Sequence, residues 1–331
     1  MKDIYLGIDI GGTKMLASLV DDAGAVLARR KRPTEPERGA RDVIARLGDM
    51  ADDLLREFAA ANGGRAPVVR GVGVAVPGVL DPAAGTVVMA TNLAWSNVPI
   101  GPELAGRFRC PAQVLNDANA ATYGEWRAGA GVGVDDLLYV TVSTGIGAGI
   151  VSGGRLVLGA WGSAAELGHI SVDRDGPYCA CGKRGCIEMY ASGKSIARKV
   201  AEAAAAGAPG AADIRGLAGG DAAELTAEHV GAAARAGHPL ALRALAEAGE
   251  ALGRGIAAAA HLLNPALVVV GGGVSRCGEP LFGPMREAVR THGIPGIVDG
   301  IRFVPSRLGE DAGAVGAALW CMEKPGAPVS V

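Results

Sequence analysis

The sequence predicts an α/β protein made of two related halves, and three observations carry that expectation. The chain is 331 residues long, more than one ordinary core requires. Apolar β-type runs alternate with segments whose apolar residues recur at helical spacing, and Gly clusters fall just after the β-type runs. A strand, Gly-turn, strand unit near the start, IDIGGTK, is echoed in plan by a second around STGIGAG at 143–149.

The first half opens as a meander of three strands. Ile4 to Ile10 runs into Gly11-Gly12, Lys14 to Val20 follows, and Asp21 to Gly24 turns the chain into Ala25 to Arg30. Residues 40–61 place Val43, Leu47, Met50, Leu54, Leu55 and Phe58 at helical spacing. Val69 to Val76 is a buried strand stopped by Pro77-Gly78. Ala112 to Leu115 is another, after which Asn116-Asp117 opens a helix through Trp126.

In the second half, Leu137 to Ser143 and Ala148 to Val151 flank the turn Thr144-Gly145-Ile146-Gly147. Ala201 to Gly220, rich in Ala and Gly, reads as a helix end and a surface insertion. Residues 239–263 form a long helix with Leu242, Leu245, Ala248, Leu252, Ile256, Ala259 and Leu263 on one face. Ala266 to Val270 is a fully apolar strand that ends in Gly271-Gly272-Gly273. A last helix runs from about Ala312 to Met322, opened by Glu310-Asp311.

Composition excludes several classes. With 49% hydrophobic and 20% charged residues and a net charge of -2, the chain reads as soluble and globular. It has no basic excess that would point to nucleic acid. The longest apolar stretch, Gly255 to Leu263, is interrupted by His261 and ends at Asn264-Pro265, too short to span a bilayer. Six Cys and no signal-peptide pattern lead us to expect a reduced, cytoplasmic protein.

The densest chemistry lies between Glu166 and Ser195. One His (His169) and three Cys (Cys179, Cys181, Cys186) sit in a Gly-rich stretch flanked by Glu166 and Glu188. Three thiolates and an imidazole make a closed tetrahedral set, the composition of a structural zinc site. Cys179 and Cys181 are too close for a relaxed disulfide, whereas Cys186 can in principle pair with either. The C-x-C-x4-C order differs from the paired C-x2-C of zinc ribbons. Cys110, Cys277 and Cys321 lie apart and read as ordinary buried thiols.

The Gly turns suggest a second chemistry. Gly7 to Thr13 lacks the Gly-Lys-Ser/Thr ending of a P-loop, and Gly145, Gly147 and Gly149 do not make G-x-G-x-x-G. What remains is a pair of hairpin turns whose backbone N–H groups can approach an anion closely. Thr13 and Thr144 add hydroxyl donors, and Asp9 offers a carboxylate for hydrated Mg2+. A Gly pair alone is as well explained by a tight hairpin. Two such turns, with Gly271-Gly272-Gly273 placed to let an adenine or ribose lie against the backbone, favour a nucleotide.

Taken together, Asp9-Ile-Gly-Gly-Thr-Lys14, Asn116-Asp-Ala-Asn119 before Gly124-Glu125, Ser143-Thr-Gly-Ile-Gly147, Glu166-x-x-His169 and Cys179-x-Cys181-x4-Cys186-x-Glu188 resemble the ROK family of sugar kinases. Within that family the chain is most similar to the bacterial glucokinases. The resemblance implies an actin-like (ribonuclease H-like) fold, with two α/β domains around a cleft. It places residues 1–116 and a C-terminal helix at about 318–331 in a small domain, and 117–317 in a large one carrying the metal loop.

The resemblance also implies ATP with Mg2+, a structural Zn2+, and transfer to the 6-hydroxyl of a hexose, most often glucose. By it, Asp117 is the catalytic base. Asn92, Asn116, Asp117, Glu166, His169 and Glu188 hold sugar hydroxyls, with His169 also a zinc ligand beside the three Cys. Asp9, Gly11, Gly12, Thr13 and Lys14 form the first phosphate segment, Thr144 and Gly145 the second, and Gly271, Gly272 and Gly273 the nucleoside segment. Local sequence leaves Asp117 an equally ordinary role as the N-cap of the helix after it.

The alternatives that stay open are fructose, mannose, N-acetylglucosamine or N-acetylmannosamine as acceptor, polyphosphate as donor, and a sugar-sensing repressor. A repressor carries a DNA-binding segment ahead of the sugar domain, and here only eight residues precede Asp9. A homodimer is expected from the resemblance.

Overall fold

The structure is a computed structural model that describes residues 3–217, 221 and 224–323. Two five-stranded sheets share one plan. The first is built from β1 (Ile4–Ile10), β2 (Lys14–Asp21), β3 (Val26–Pro33), β4 (Val69–Val76) and β8 (Ala112–Asn116), in the order β3-β2-β1-β4-β8. The second contains β9 (Leu137–Val142), β10 (Ile146–Ser152), β11 (Arg155–Leu156), β12 (Leu267–Gly271) and β13 (Arg302–Pro305), in the order β11-β10-β9-β12-β13. In each, the hairpin strands are antiparallel and the two later strands are parallel. The echo in plan between the two Gly-turn units is therefore a repeat of topology.

Helix α1 (Ala40–Ala61) packs its Val43, Leu47, Met50 and Leu54 against the first sheet, in one core with Leu6, Ile8, Val72 and Val74. Between β4 and β8 come four elements that sequence patterning missed. They are a small antiparallel sheet of β5 (Val79–Asp81), β6 (Thr86–Ala90) and β7 (Trp95–Val98), and helix α2 (Ile100–Phe108). The strands are short and mix buried with exposed positions, so no clean alternation marks them.

Helix α3 (Asp117–Ala128) leaves the first sheet, and the Cys-rich loop region ends in α4 (Glu188–Ala191) and α5 (Gly193–Ala205). Beyond these lie α6 (Ala211–Gly216), α7 (Ala227–Arg235), α8 (Pro239–Leu263), α9 (Glu279–His292), α10 (Pro295–Val298) and α11 (Ala312–Glu323). The stretch from Ala201 to Gly220 is more than an insertion. Its α6 buries Ile214 completely, in one core with Val200 and Leu245; residues 218–220 lie outside the described residues. On α8 the face runs as expected from Leu245 to Ala259, but Leu242 is 37% exposed. The expected C-terminal helix at 318–331 is the later part of α11, and residues 324–331 lie outside the described residues.

Helix α11 touches both halves. Its backbone sits in hollows left by Gly7 and Gly73, where a Cβ would come within 2.0 Å of the Ala314 carbonyl oxygen and 1.8 Å of that of Ala317. It crosses α3 as closely, since a Cβ on Gly316 would meet the Ala120 carbonyl oxygen at 1.7 Å. Backbone approaches this close exclude any other residue. No described helix is long and apolar enough to cross a membrane.

Candidate active site

Asp117 stands where β8 ends and α3 begins. Capping falls to its neighbour: the Asn116 carboxamide oxygen accepts from the N–H groups of Ala118 at 3.0 Å and Asn119 at 3.2 Å. An Asn cap stabilises a helix by about 1 kcal/mol, and here it relieves Asp117 of that duty. Asp117 Oδ1 takes the Ala118 N–H at 2.9 Å, and the Asn116 side chain and its own N–H also lie within reach of the carboxylate. Burial raises its pKa above the ordinary carboxylate value, and the charge of Glu166 adds to the rise against the hydrogen bond from Ala118.

Asp9 closes β1 and faces the start of α11, where a Cβ on Gly313 would come within 2.5 Å of its Oδ2. Burial, then the charge of Asp117, pushes its carboxyl up to about 7, against the pull of Lys14. No hydrogen bond from a described residue reaches its oxygens.

The first turn is held from outside. Gly11 donates to the Lys14 carbonyl at 2.9 Å, and the Thr34 hydroxyl donates to the Gly11 carbonyl at 2.7 Å. Asn92, in the single helical turn Thr91–Leu93, lies against it, its carbonyl oxygen 3.3 Å from where a Gly12 Cβ would be. Lys14 reaches Glu310 at 3.3 Å, and Glu310 also binds Lys31 at 2.7 Å and Arg276 at 3.0 Å. That cationic company, with Lys31 foremost, holds the Glu310 carboxyl at about 2.

The second turn is tied to the Cys-rich loop region. Glu188 Oε2 accepts from the Ile146 N–H at 2.9 Å and would lie 2.6 Å from a Gly145 Cβ. Thr144 is exposed beside it. Of the three glycines at the end of β12, Gly272 has φ 82 and would drive a Cβ into the Val142 carbonyl oxygen, while a Gly271 Cβ would meet the Tyr139 hydroxyl. Gly273 alone has open space where a side chain would go. The first two are thus needed for packing, and the third is the open wall.

His169, Cys179, Cys181 and Cys186 bring their four donor atoms within 4.8 Å of one another. The Sγ atoms of Cys181 and Cys186 are 3.5 Å apart, and Cys179 Sγ is 3.6 Å from His169 Nδ1. No disulfide joins them. A tetrahedral zinc with three thiolates sets donor separations of about 3.5–3.8 Å, so the set fits such an ion. The hairpin that carries it closes when Cys179 donates to the Lys183 carbonyl at 2.8 Å. The other ring nitrogen of His169, Nε2, points to Glu166 at 4.0 Å. Glu166 itself follows Ala165, whose φ of 71 is a left-handed conformation rarely taken by alanine.

Sequence reasoning gave Glu125 no role. It is fully buried and accepts four hydrogen bonds, three of them from residues 306–308. Nothing in its local sequence marks partners so distant along the chain.

The ROK family pattern matches residues 5–324. A glucokinase of Thermotoga maritima is 39% identical over 97% of this chain and 98% of its own length. An N-acetylmannosamine kinase of Citrobacter koseri is 34% identical over 95% of this chain and 97% of its own. The crystal structure of a ROK family glucokinase from Streptomyces griseus, in complex with glucose and AMPPNP, superposes with a TM-score of 0.82 at 38% identity, covering 95% of this chain and 98% of that one. Matched from end to end by relatives of the same length, and built as two copies of one sheet plan in the actin-like arrangement, this chain belongs to the ROK family.

Proposed function

We propose that the protein transfers the γ-phosphoryl group of ATP to the 6-hydroxyl of a hexose, and that the hexose is glucose. The observation that carries this reading is Asp117. Freed from capping and raised in basicity by burial and by Glu166, its carboxylate is suited to align a hydroxyl and take its proton. The glucokinase relatives of Thermotoga maritima and Streptomyces griseus support glucose as the acceptor.

The remaining roles are those the resemblance implies, and their placement supports them. Phosphoryl transfer needs positioning and charge stabilisation more than covalent help. The N–H groups of the first turn (Gly11, Gly12, Thr13), with Lys14, and those of Thr144 and Gly145 in the second offer donors to phosphate oxygens. Gly273 leaves room for the nucleoside, with Gly271 and Gly272 shaping the turn beneath it. Asp9 would hold Mg2+, which supplies charge neutralisation at the phosphates.

Asn92, Glu166, His169 and Glu188 are assigned to sugar hydroxyls. Asn116 joins them through its amide nitrogen, since its oxygen is spent on the cap. His169, Cys179, Cys181 and Cys186 would hold Zn2+, bracing the loop that presents Glu166 and Glu188. A small domain of residues 1–116 with the stretch from about 318, against 117–317, puts the line of closure through the Asn116–Asp117 junction and α11. Closure there would exclude water from the phosphates.

The test is Mg2+- and ATP-dependent phosphorylation of glucose, mannose, fructose, N-acetylglucosamine and N-acetylmannosamine, with polyphosphate as a second donor. Glucose with ATP is expected to dominate kcat/KM. A dominant rate on another sugar or with polyphosphate overturns that specificity, and no turnover with any pair overturns the kinase reading.

The position of Asp9 sets a pH dependence. Its carboxyl must ionise to hold a cation, so kcat/KM for MgATP should climb as pH passes through about 7. Stability should move the other way. The folded state binds this proton more tightly than the unfolded chain, whose ordinary value is 3.8, so stability falls as pH rises from about 4 to about 7. Asp9→Asn should remove that fall and raise Tm at pH 8 by about 2–5 °C while lowering turnover sharply. Thermal unfolding of both proteins between pH 4 and 8 checks it, and parallel curves would refute the assignment.

A further inference from the structure

We infer that Glu125 is a positioning residue that fixes the helix of the catalytic base against the nucleotide side of the site. The inference rests on the kinase reading above. Glu125 lies two turns after Asp117 on α3, about 12 Å along the axis, with no solvent exposure. A carboxylate so enclosed is costly unless its oxygens are met by donors, and four meet them. Oε1 accepts from the Ser306 hydroxyl at 2.6 Å and the Leu308 N–H at 2.7 Å. Oε2 accepts from the Ala130 N–H at 2.8 Å and the Arg307 N–H at 3.2 Å.

The clasped segment runs on both sides into proposed nucleotide contacts. Upstream, Ser306 donates its N–H to the Val270 carbonyl at 2.9 Å, and its Cβ lies 3.2 Å from where a Gly271 Cβ would be. Downstream, the Ser306 hydroxyl accepts from the Gly309 N–H at 2.9 Å, and the next residue, Glu310, holds Lys14 of the first turn and Arg276 beyond the glycines. One rigid helix therefore presents the base at its start and grips the nucleotide wall near its end. A role confined to satisfying the loop would need no such helix. Here the clasp sets how far the base stands from the phosphoryl group.

The test is Glu125→Gln, assayed beside the wild-type enzyme for glucose affinity by calorimetry, for kcat, and for Tm. Whichever way the amide turns, its NH2 faces at least one N–H donor, that of Leu308 at one position or those of Ala130 and Arg307 at the other, so the clasp loosens without a change of volume. In protein still folded at the assay temperature, we expect kcat to fall about 10–100-fold, as displacements near 1 Å do, with the glucose Kd within twofold. A kcat within twofold of wild type overturns the inference, as does a loss of glucose affinity that matches the loss of kcat.

Should Glu125→Gln fail to fold, Ser306→Ala decides. It removes one donor to Glu125, together with the acceptor of the Gly309 N–H, and is expected to lower kcat at least threefold at unchanged glucose Kd; unchanged kcat overturns the inference. A wild-type enzyme inactive on every sugar sinks the kinase reading and this inference with it, and is distinguished by wild-type activity from failure of the inference alone.

Discussion

Asp117→Asn is expected to lower kcat by about a thousandfold or more, in line with the contribution of a well-placed general base. Glucose affinity should change less than about threefold, because one hydrogen-bonding group replaces another of the same shape. The choice of Asn over Ala matters locally. The Ala118 N–H needs an acceptor, which the Asn carbonyl still provides, and Asn116 continues to cap the helix. The mutant should therefore fold normally and bind sugar without transferring phosphate. Steady-state kinetics with calorimetry separate the two effects. Turnover within tenfold of wild type would remove Asp117 from the base role, leaving Asp9 or Glu166 as the carboxylates to try next.

The second large effect concerns the metal loop. Protein purified without chelator should carry one zinc per chain, and Cys186→Ser should lose it. Cys186 is buried, with its sulfur 3.6 Å from the His169 carbonyl oxygen, and lies two residues before Glu188. Losing the metal should free the segment from Ser171 to Cys186 to protease and loosen both glutamates. We expect glucose affinity to fall about 10–100-fold, the range seen when support for metal ligands is removed. Cys277→Ala, at a buried thiol far along the chain from the cluster, should keep its zinc. A folded wild-type protein with no zinc by elemental analysis would refute the metal, and unaltered glucose binding in Cys186→Ser would refute its link to the sugar site.

What was legible in the sequence follows from how local each signal is. The bounds of β1, α1 and β4 coincide with the apolar runs and helical spacing that predicted them. A strand of buried valines, or a helix with one apolar stripe, states its period within its own length. The His169–Cys186 cluster was legible for a similar reason, since four soft donors within 18 residues leave few other chemistries. The small sheet β5-β6-β7 was not legible, because Pro77-Gly78 reads as an end and the strands after it are short. Helix α9 was missed as well; its interior Pro284 argues locally against a helix that packing on α8 sustains. The capping at Asn116 and the clasp at Glu125 lie beyond reading of this kind. The first turns on which of two adjacent polar side chains rotates toward the helix, the second on partners some 180 residues away.

The place of α11 has a consequence for how the chain is made. The strands and helices of the first sheet are complete by Asn116, yet one face of that sheet is shaped to receive a helix made of residues 312–323. During synthesis, β1 and β4 must wait for nearly two hundred more residues before their glycine hollows are filled. Until then the half made first exposes an apolar face and cannot reach its final stability, whatever its local propensities. The two halves should thus mature together at the end of translation rather than in order of emergence. A stalled ribosome would leave a nascent chain with that glycine-hollowed face of the first sheet turned toward water.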